Sequence, residues 1–115
     1  MLAQYLDITK QFNAGNGTKI EASNYDYCVV QFVGAAGTIN FTASNDSGAV
    51  QGVTDGNIST STNFVSVQAT NLTTGAATTT GGTGLFRLPV VGRYIQFAGA
   101  SAAATKVLVM LTKIS

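Results

Sequence analysis

Apolar and polar residues alternate with a period of two along several short stretches of this chain, and turn-forming residues separate those stretches. Residues 25–33 (YDYCVVQFV) set Tyr25, Tyr27, Val29, Gln31 and Val33 on one face and Cys28, Val30 and Phe32 on the other. Their β-branched and aromatic character, with no helix cap ahead of them, predicts a strand. Gly34-Ala35-Ala36-Gly37 reads as a turn. In residues 38–43, Ile39, Phe41 and Ala43 alternate with Thr38, Asn40 and Thr42, which predicts a half-buried strand and a hairpin with the first. Residues 106–114 alternate as cleanly: Val107, Val109, Leu111 and Lys113 point one way, and Leu108, Met110, Thr112 and Ile114 the other. Both faces are mainly apolar, so this strand is expected to be central or covered on both sides.

Weaker signals fill the interval. Residues 44–48 (SNDSG) read as a turn, since Asn and Asp bond their own backbone and Gly supplies a positive φ. Residues 50–53 are a short candidate strand, and 55–57 (DGN) another turn. Residues 63–69 (NFVSVQA) predict a strand, whereas the Thr- and Gly-rich 70–84 read as a long exposed loop. Residues 85–91 and 94–98 are further strands, bent apart at Gly92-Arg93. Pro89 cannot donate to a ladder and belongs at an edge or bulge. Residues 98–104 are Ala-rich, but Gly99 and the short length favour a loop. Residues 2–12 suit helical and strand periods equally poorly.

Short strands with turns every few residues and no strong helix predict an all-β fold, an antiparallel β-sandwich of jelly-roll-like kind, or a barrel. With 115 residues the chain is long enough for one domain, 1–115, in which 1–20 is a candidate N-terminal arm.

Composition changes the picture in one respect. Charged residues are only 10% of the chain, although 45% is apolar and the mean hydropathy is +0.25. A typical soluble domain is about 25% charged. Charges keep sheet edges from pairing with other chains, so their scarcity points to an edge or face covered by a partner, and hence to assembly. The net charge of +1 and the scattering of Lys10, Lys19, Arg87, Arg93, Lys106 and Lys113 argue against nucleic acid or a membrane surface as partner. The longest purely apolar run, 107–111, is far short of the roughly 20 residues a membrane helix needs. The opening MLAQYLDITK lacks a basic segment followed by an apolar one, so synthesis in a cytoplasm without export by a cleaved signal is expected.

Candidate chemistry is sparse, and neither enzyme activity nor a cofactor is expected. There is no His, so a Cys/His zinc site is excluded and Cys28 has no base to activate it. The acids Asp7, Glu21, Asp26, Asp46 and Asp55 show no catalytic spacing, and Asp46 and Asp55 fall in turn sequences. No calcium or other metal site is expected, because 44–47 offers one carboxylate where calcium wants several. Gly81-Gly82-Thr83-Gly84 precedes no helix N-terminus that would hold a phosphate. Phe32, Phe41, Phe64 and Phe97 lie in apolar strands and read as core, not as a nucleic-acid stacking platform. The Asn-x-Ser/Thr sequons read as chance in a chain this rich in Asn and Thr.

Two segments carry a family resemblance. Residues 41–48 (FTASNDSG) look like the strand and Ser-Asn-Asp-Gly turn of small β-sandwich structural proteins of tailed bacteriophages, the capsid decoration or cement and tail proteins. Residues 83–97 (TGLFRLPVVGRYIQF) are similar to a Thr-Gly-Leu-Tyr-x-x-Pro-Val-x-Gly-x-Arg-Tyr segment of those proteins, and 106–111 resembles their closing strand. The resemblance covers about residues 38–115 and departs in lacking the Trp often found after the Ser-Asn-Asp turn. It implies a virion structural protein that decorates or cements the outer capsid and stabilises the shell, with the major capsid protein as partner. Self-association as a dimer or trimer and a location on the capsid surface go with that role. Tyr5, Leu6, Ile8 and Phe12 would make the contact through the N-terminal arm. The alternative is a tail, baseplate or fibre component at the host surface, where Tyr25, Asp26 and Tyr27 would suit a glycan. In either role, binding would be carried on the loops at 45–57 and 70–84.

Overall fold

The computed structural model describes residues 2–13, 19–45, 64–89, 92–99 and 102–114. In chain order the elements are β1 (Leu2–Asp7), α1 (Thr9–Asn13), β2 (Lys19–Glu21), β3 (Tyr27–Val33), β4 (Ile39–Ser44), β5 (Val65–Ser66), β6 (Ala69–Asn71), β7 (Ala77–Thr78), β8 (Thr80–Gly81), β9 (Gly84–Pro89), β10 (Tyr94–Ala98) and β11 (Lys106–Lys113). Among the described residues they form two antiparallel sheets, ordered β1-β11-β3-β9-β6-β7 and β2-β10-β4-β5, with β8 also pairing β4. The sheets pack face to face as a β-sandwich.

With β6–β8 set aside as an excursion between β5 and β9, eight strands remain. Renumbered in chain order they run 1-8-3-6 in the larger sheet and 2-7-4-5 in the smaller. Successive strands thus alternate between sheets, except at 4 and 5, which are neighbours in the smaller sheet, as in the interleaved double Greek key of a jelly roll.

The inward positions follow the period-two pattern. Cys28, Val30 and Phe32 on β3 lie beside Leu111, Val109 and Val107 on β11, and Cys28 and Val30 face Leu88 and Phe86 on β9. Phe41 and Ile39 on β4 and Ile95 and Phe97 on β10 oppose them from the other sheet, and all are buried. Phe32 is the hub of an aromatic cluster. Its ring centroid lies 5.6 Å from Phe97, 5.8 Å from Phe12, 6.2 Å from Phe86 and 6.3 Å from Phe41. Rings at such separations in tilted or edge-to-face geometry attract beyond their area burial.

Several expectations need correction. β3 and β4 are not a hairpin. Both flanks of β3 are taken, by β11 and β9, so the chain crosses to the other sheet and β4 pairs with β10. The 34–38 segment is a corner: Gly34 adopts φ 59°, the Ala35 N–H donates to Thr83 Oγ1 at 2.9 Å, and Ala36 bridges Ala103. Nearby, a Cβ on Gly99 would meet the Thr38 carbonyl oxygen at 2.1 Å, so this approach admits only glycine.

The strand expected over 63–69 is two short ones, divided between the sheets: β5 pairs with β4, and β6 with β9. The stretch 70–84 is likewise not a bare loop. It holds β7, β8 and the hairpin of β6 with β7, whose turn is closed by Asn71 Oδ1 accepting the N–H groups of Thr73 and Thr74. The Asn side chain imitates backbone there, which a reading of Thr and Gly content misses.

Pro89 ends β9, opposite Tyr27, where β6 on the other flank has already stopped at its pairing with Phe86 and Arg87. No ladder bond is lost. β11 is central, flanked by β1 and β3. The strand at 50–53 and the turns at 46–48 and 55–57 lie outside the described residues.

Residues 2–12 are both strand and helix, and they are no free arm. β1 pairs with β11 from Leu2 opposite Lys113 to Asp7 opposite Leu108. Asp7 Oδ1 then accepts the Thr9 N–H at 3.0 Å and the Thr9 hydroxyl at 2.6 Å, turning the chain into α1. Asn13 fastens the far end: its side-chain amide donates to the Ala104 carbonyl at 2.7 Å, and its Oδ1 accepts the Ala104 N–H at 2.9 Å. This placement sends Ile8 and Phe12 into the core, each only 6% exposed.

Candidate assembly surface

Of the residues proposed for an assembly contact, only Tyr5 is positioned to make one. It is 75% exposed, on the outward side of β1. Leu6 is half-buried and packs against the core, and Ile8 and Phe12 belong to that core. The residues near Tyr5 that form a surface with it come from β11, β3 and β9. The sequence places them on one face of each strand but not beside one another.

The sandwich has two outer faces of unlike chemistry. On the smaller sheet the described outward positions include Asn40, Thr42, Ser66, Gln96 and Glu21, which are polar, while Tyr94 and Ser44 at that face are buried. The larger sheet turns out Tyr5, Leu108, Met110, Val29, Val33 and Leu85, with Gln31, Arg87 and Asp7 among them. Val33 and Leu85 are 37% and 40% exposed, and Leu108, Met110 and Val29 are half-buried. A sandwich sheet normally shows water a polar outer face, so the contiguous apolar positions here make this face the candidate assembly surface.

The described acidic groups are engaged locally. Asp7 is held below the usual carboxylate range, first by the Thr9 hydroxyl and N–H and then by Lys106. Asp26 Oδ2 accepts the Ile114 N–H at 2.8 Å, and Glu21 lies 3.8 Å from Arg93 in an exposed ion pair. The tyrosines considered for a glycan make contacts within the sheet. The Tyr25 hydroxyl donates to Gln4 Oε1 at 2.8 Å, and the Arg87 guanidinium lies 5.4 Å over the Tyr27 ring. Among the described residues no three of His, Cys, Asp and Glu gather as a metal would need, and no helix is long and apolar enough to cross a membrane.

Cys28 sits fully buried between Leu88 and Leu111. Desolvation pushes its thiol up from 9.0 to about 12. The folded protein therefore holds this proton where the unfolded chain releases it. The stabilisation is complete below pH 9 and is lost as pH rises toward 12, with a limiting slope of about 1.4 kcal/mol per pH unit. Cys28 should resist a thiol-alkylating reagent at pH 8 in the native state and react fully in denaturant; mass spectrometry reads both.

Among solved structures, that of the SPBc2 prophage-derived protein YomS is similar, with a TM-score of 0.65 over 96% of this chain and 95% of that one, at 12% sequence identity. Neither a protein-family model nor a curated protein sequence matches the chain. At this identity the likeness is one of fold. The chain is thus an antiparallel β-sandwich domain of a fold that a prophage-derived protein shares over nearly its whole length.

Proposed function

We propose that this chain is a structural protein of a phage particle. It acts by assembly, not catalysis, and decorates the outer capsid so as to stabilise the shell. The observation that carries the reading is the end-to-end fold likeness to a prophage-derived protein, in a chain whose larger sheet presents an apolar outer face. The low charge of the chain supports it, since neutral surfaces pack against neighbours with little repulsion. The partner is the major capsid protein. Each bound copy favours the assembled state by mass action, by about 2.7 kcal/mol when the free protein stands at a hundred times its dissociation constant.

Co-sedimentation with cognate undecorated capsids tests this. Saturable binding in a ratio set by the capsid symmetry, together with a raised capsid melting temperature, is the expected result. A well-folded protein that leaves capsids bare would overturn it and move the assignment to the tail, baseplate or fibre.

A further inference from the structure

We propose that the outer face of the larger sheet binds a second copy of this chain, giving a dimer in which the two faces stack about a twofold axis parallel to the strands. This interface is argued apart from the virion reading and can fail without it.

The argument is the arrangement of side chains across the sheet. Strand register aligns Tyr5, Met110, Val29 and Arg87 in one row running β1-β11-β3-β9. The next row is Asp7, Leu108, Gln31 and Leu85. The acid and the most exposed aromatic ring stand at the β1 end, the guanidinium stands at the β9 end, and mainly apolar side chains lie between. A twofold axis above the β11–β3 boundary reverses the strand order. It lays β1 of one copy over β9 of the other and β11 over β3. Tyr5 then covers the second copy's Arg87, Asp7 comes within reach of that same guanidinium, and Met110 meets Val29. Each of these contacts occurs twice, as an isologous interface requires. At the centre Met110 over Val29 is an apolar pair, Leu108 and Lys106 lie over Gln31 and Val33, and the rim pairs join a cation to a ring and to a carboxylate. A partner of other chemistry would not need the acid and the cation to sit at matching distances on either side of the centre.

The area suffices. Four strands about 4.8 Å apart and about seven residues long at 3.3 Å each present roughly 440 Å² in projection. Side chains standing off the sheet raise the accessible area further, toward the about 800 Å² per partner of a standard interface. Sheets stacked in this way lie about 10 Å apart.

Light scattering on the purified chain is expected to give twice its 11.8 kDa mass at concentrations up to about 100 µM. Met110→Lys and Val29→Lys, tested separately, each place a charge at the centre of the interface, and each should raise the dimer dissociation constant about a hundredfold or more. Both side chains point outward, so circular dichroism and the melting of the monomer should change little. A second variant reads the geometry. Tyr5 and Arg87 stand three strand spacings apart within one chain, about 14 Å, too far for an internal disulfide. Stacked sheets hold facing residues about 10 Å apart, also beyond a disulfide, so Tyr5→Cys/Arg87→Cys is treated with a thiol-specific cross-linker that reaches about 10 Å; it should run as a covalent dimer, whereas Tyr5→Cys alone should not.

A monomer at the highest concentration overturns the proposal, and so does a folded Met110→Lys protein that dimerises unchanged. Cross-linking by Tyr5→Cys alone would mean pairing through the β1 edge and would also overturn it. A monomer whose capsid binding is lost on Met110→Lys would give the face to the capsid protein, sinking the dimer and sparing the virion reading. A Met110-dependent dimer that ignores capsids would do the reverse.

Discussion

Phe32→Ala is expected to lower the unfolding free energy by about 4 kcal/mol, the range for removing a fully buried phenylalanine. The ring is 1% exposed and sits between rings from both sheets and from α1. Its removal leaves a cavity that the backbone cannot close, because β3 is held on both sides by β11 and β9. Phe41, 5.1 Å from Phe86 and 5.9 Å from Phe97, would keep both neighbours, but the cluster would lose the ring that joins it to Phe12. In a domain of this size such a loss moves the melting temperature down by about 15 °C. Urea denaturation followed by circular dichroism measures it. A loss under about 1 kcal/mol would mean that the sheets do not meet through this residue.

The second large effect separates core from surface within one short segment. Phe12→Ala should cost about 3 kcal/mol or more, since Phe12 is 6% exposed and its ring lies 5.8 Å from that of Phe32. Tyr5→Ala, seven positions earlier, should change the stability of the monomer by less than about 0.5 kcal/mol, because the ring is 75% exposed in the single chain. Equilibrium unfolding of the two variants side by side decides the matter. Equal small effects would return residues 2–12 to the role of a detached arm; the structure instead makes β1 and α1 part of the folding unit. Deleting residues 2–12 would strip the flank of β11 and remove Ile8 and Phe12 from the core, so a deletion tests folding before it tests any contact.

Much of the fold was legible as alternation. The two faces of β3, β4 and β11 could be separated from the chain alone, because the period of a strand is two, but which face of β3 and β11 turns inward was not written there, since both carry apolar residues. The central place of β11 followed from apolar residues on both its faces, and the place of Pro89 from its missing N–H. What failed was pairing. The hairpin expected of β3 and β4 rested on their closeness in sequence, but in this jelly roll those two consecutive strands go to opposite sheets. Residues 63–69 likewise looked like one strand because periodicity does not mark where a chain leaves one sheet for the other. β6 and β7 were hidden because their hairpin is closed by the Asn71 side chain, not by a Gly-bearing two-residue turn.

The assembly surface shows the same division. Low charge and the doubly apolar strand at 106–113 are properties of the sequence, and they pointed to a covered face. Choosing the contact residues from 2–12 went wrong for Ile8 and Phe12 because apolar character has the same signature in a core as in an interface. Only β1 lying beside β11, and β9 beside β3, brings Tyr5, Met110, Val29 and Arg87 into one row. Local alternation is written residue by residue, because each side chain's face depends on its immediate neighbours in the chain. Which strands become neighbours depends on how two apolar faces close over a single core. That choice is made between residues distant in the chain, so the row of side chains that defines the proposed interface belongs to the tertiary structure.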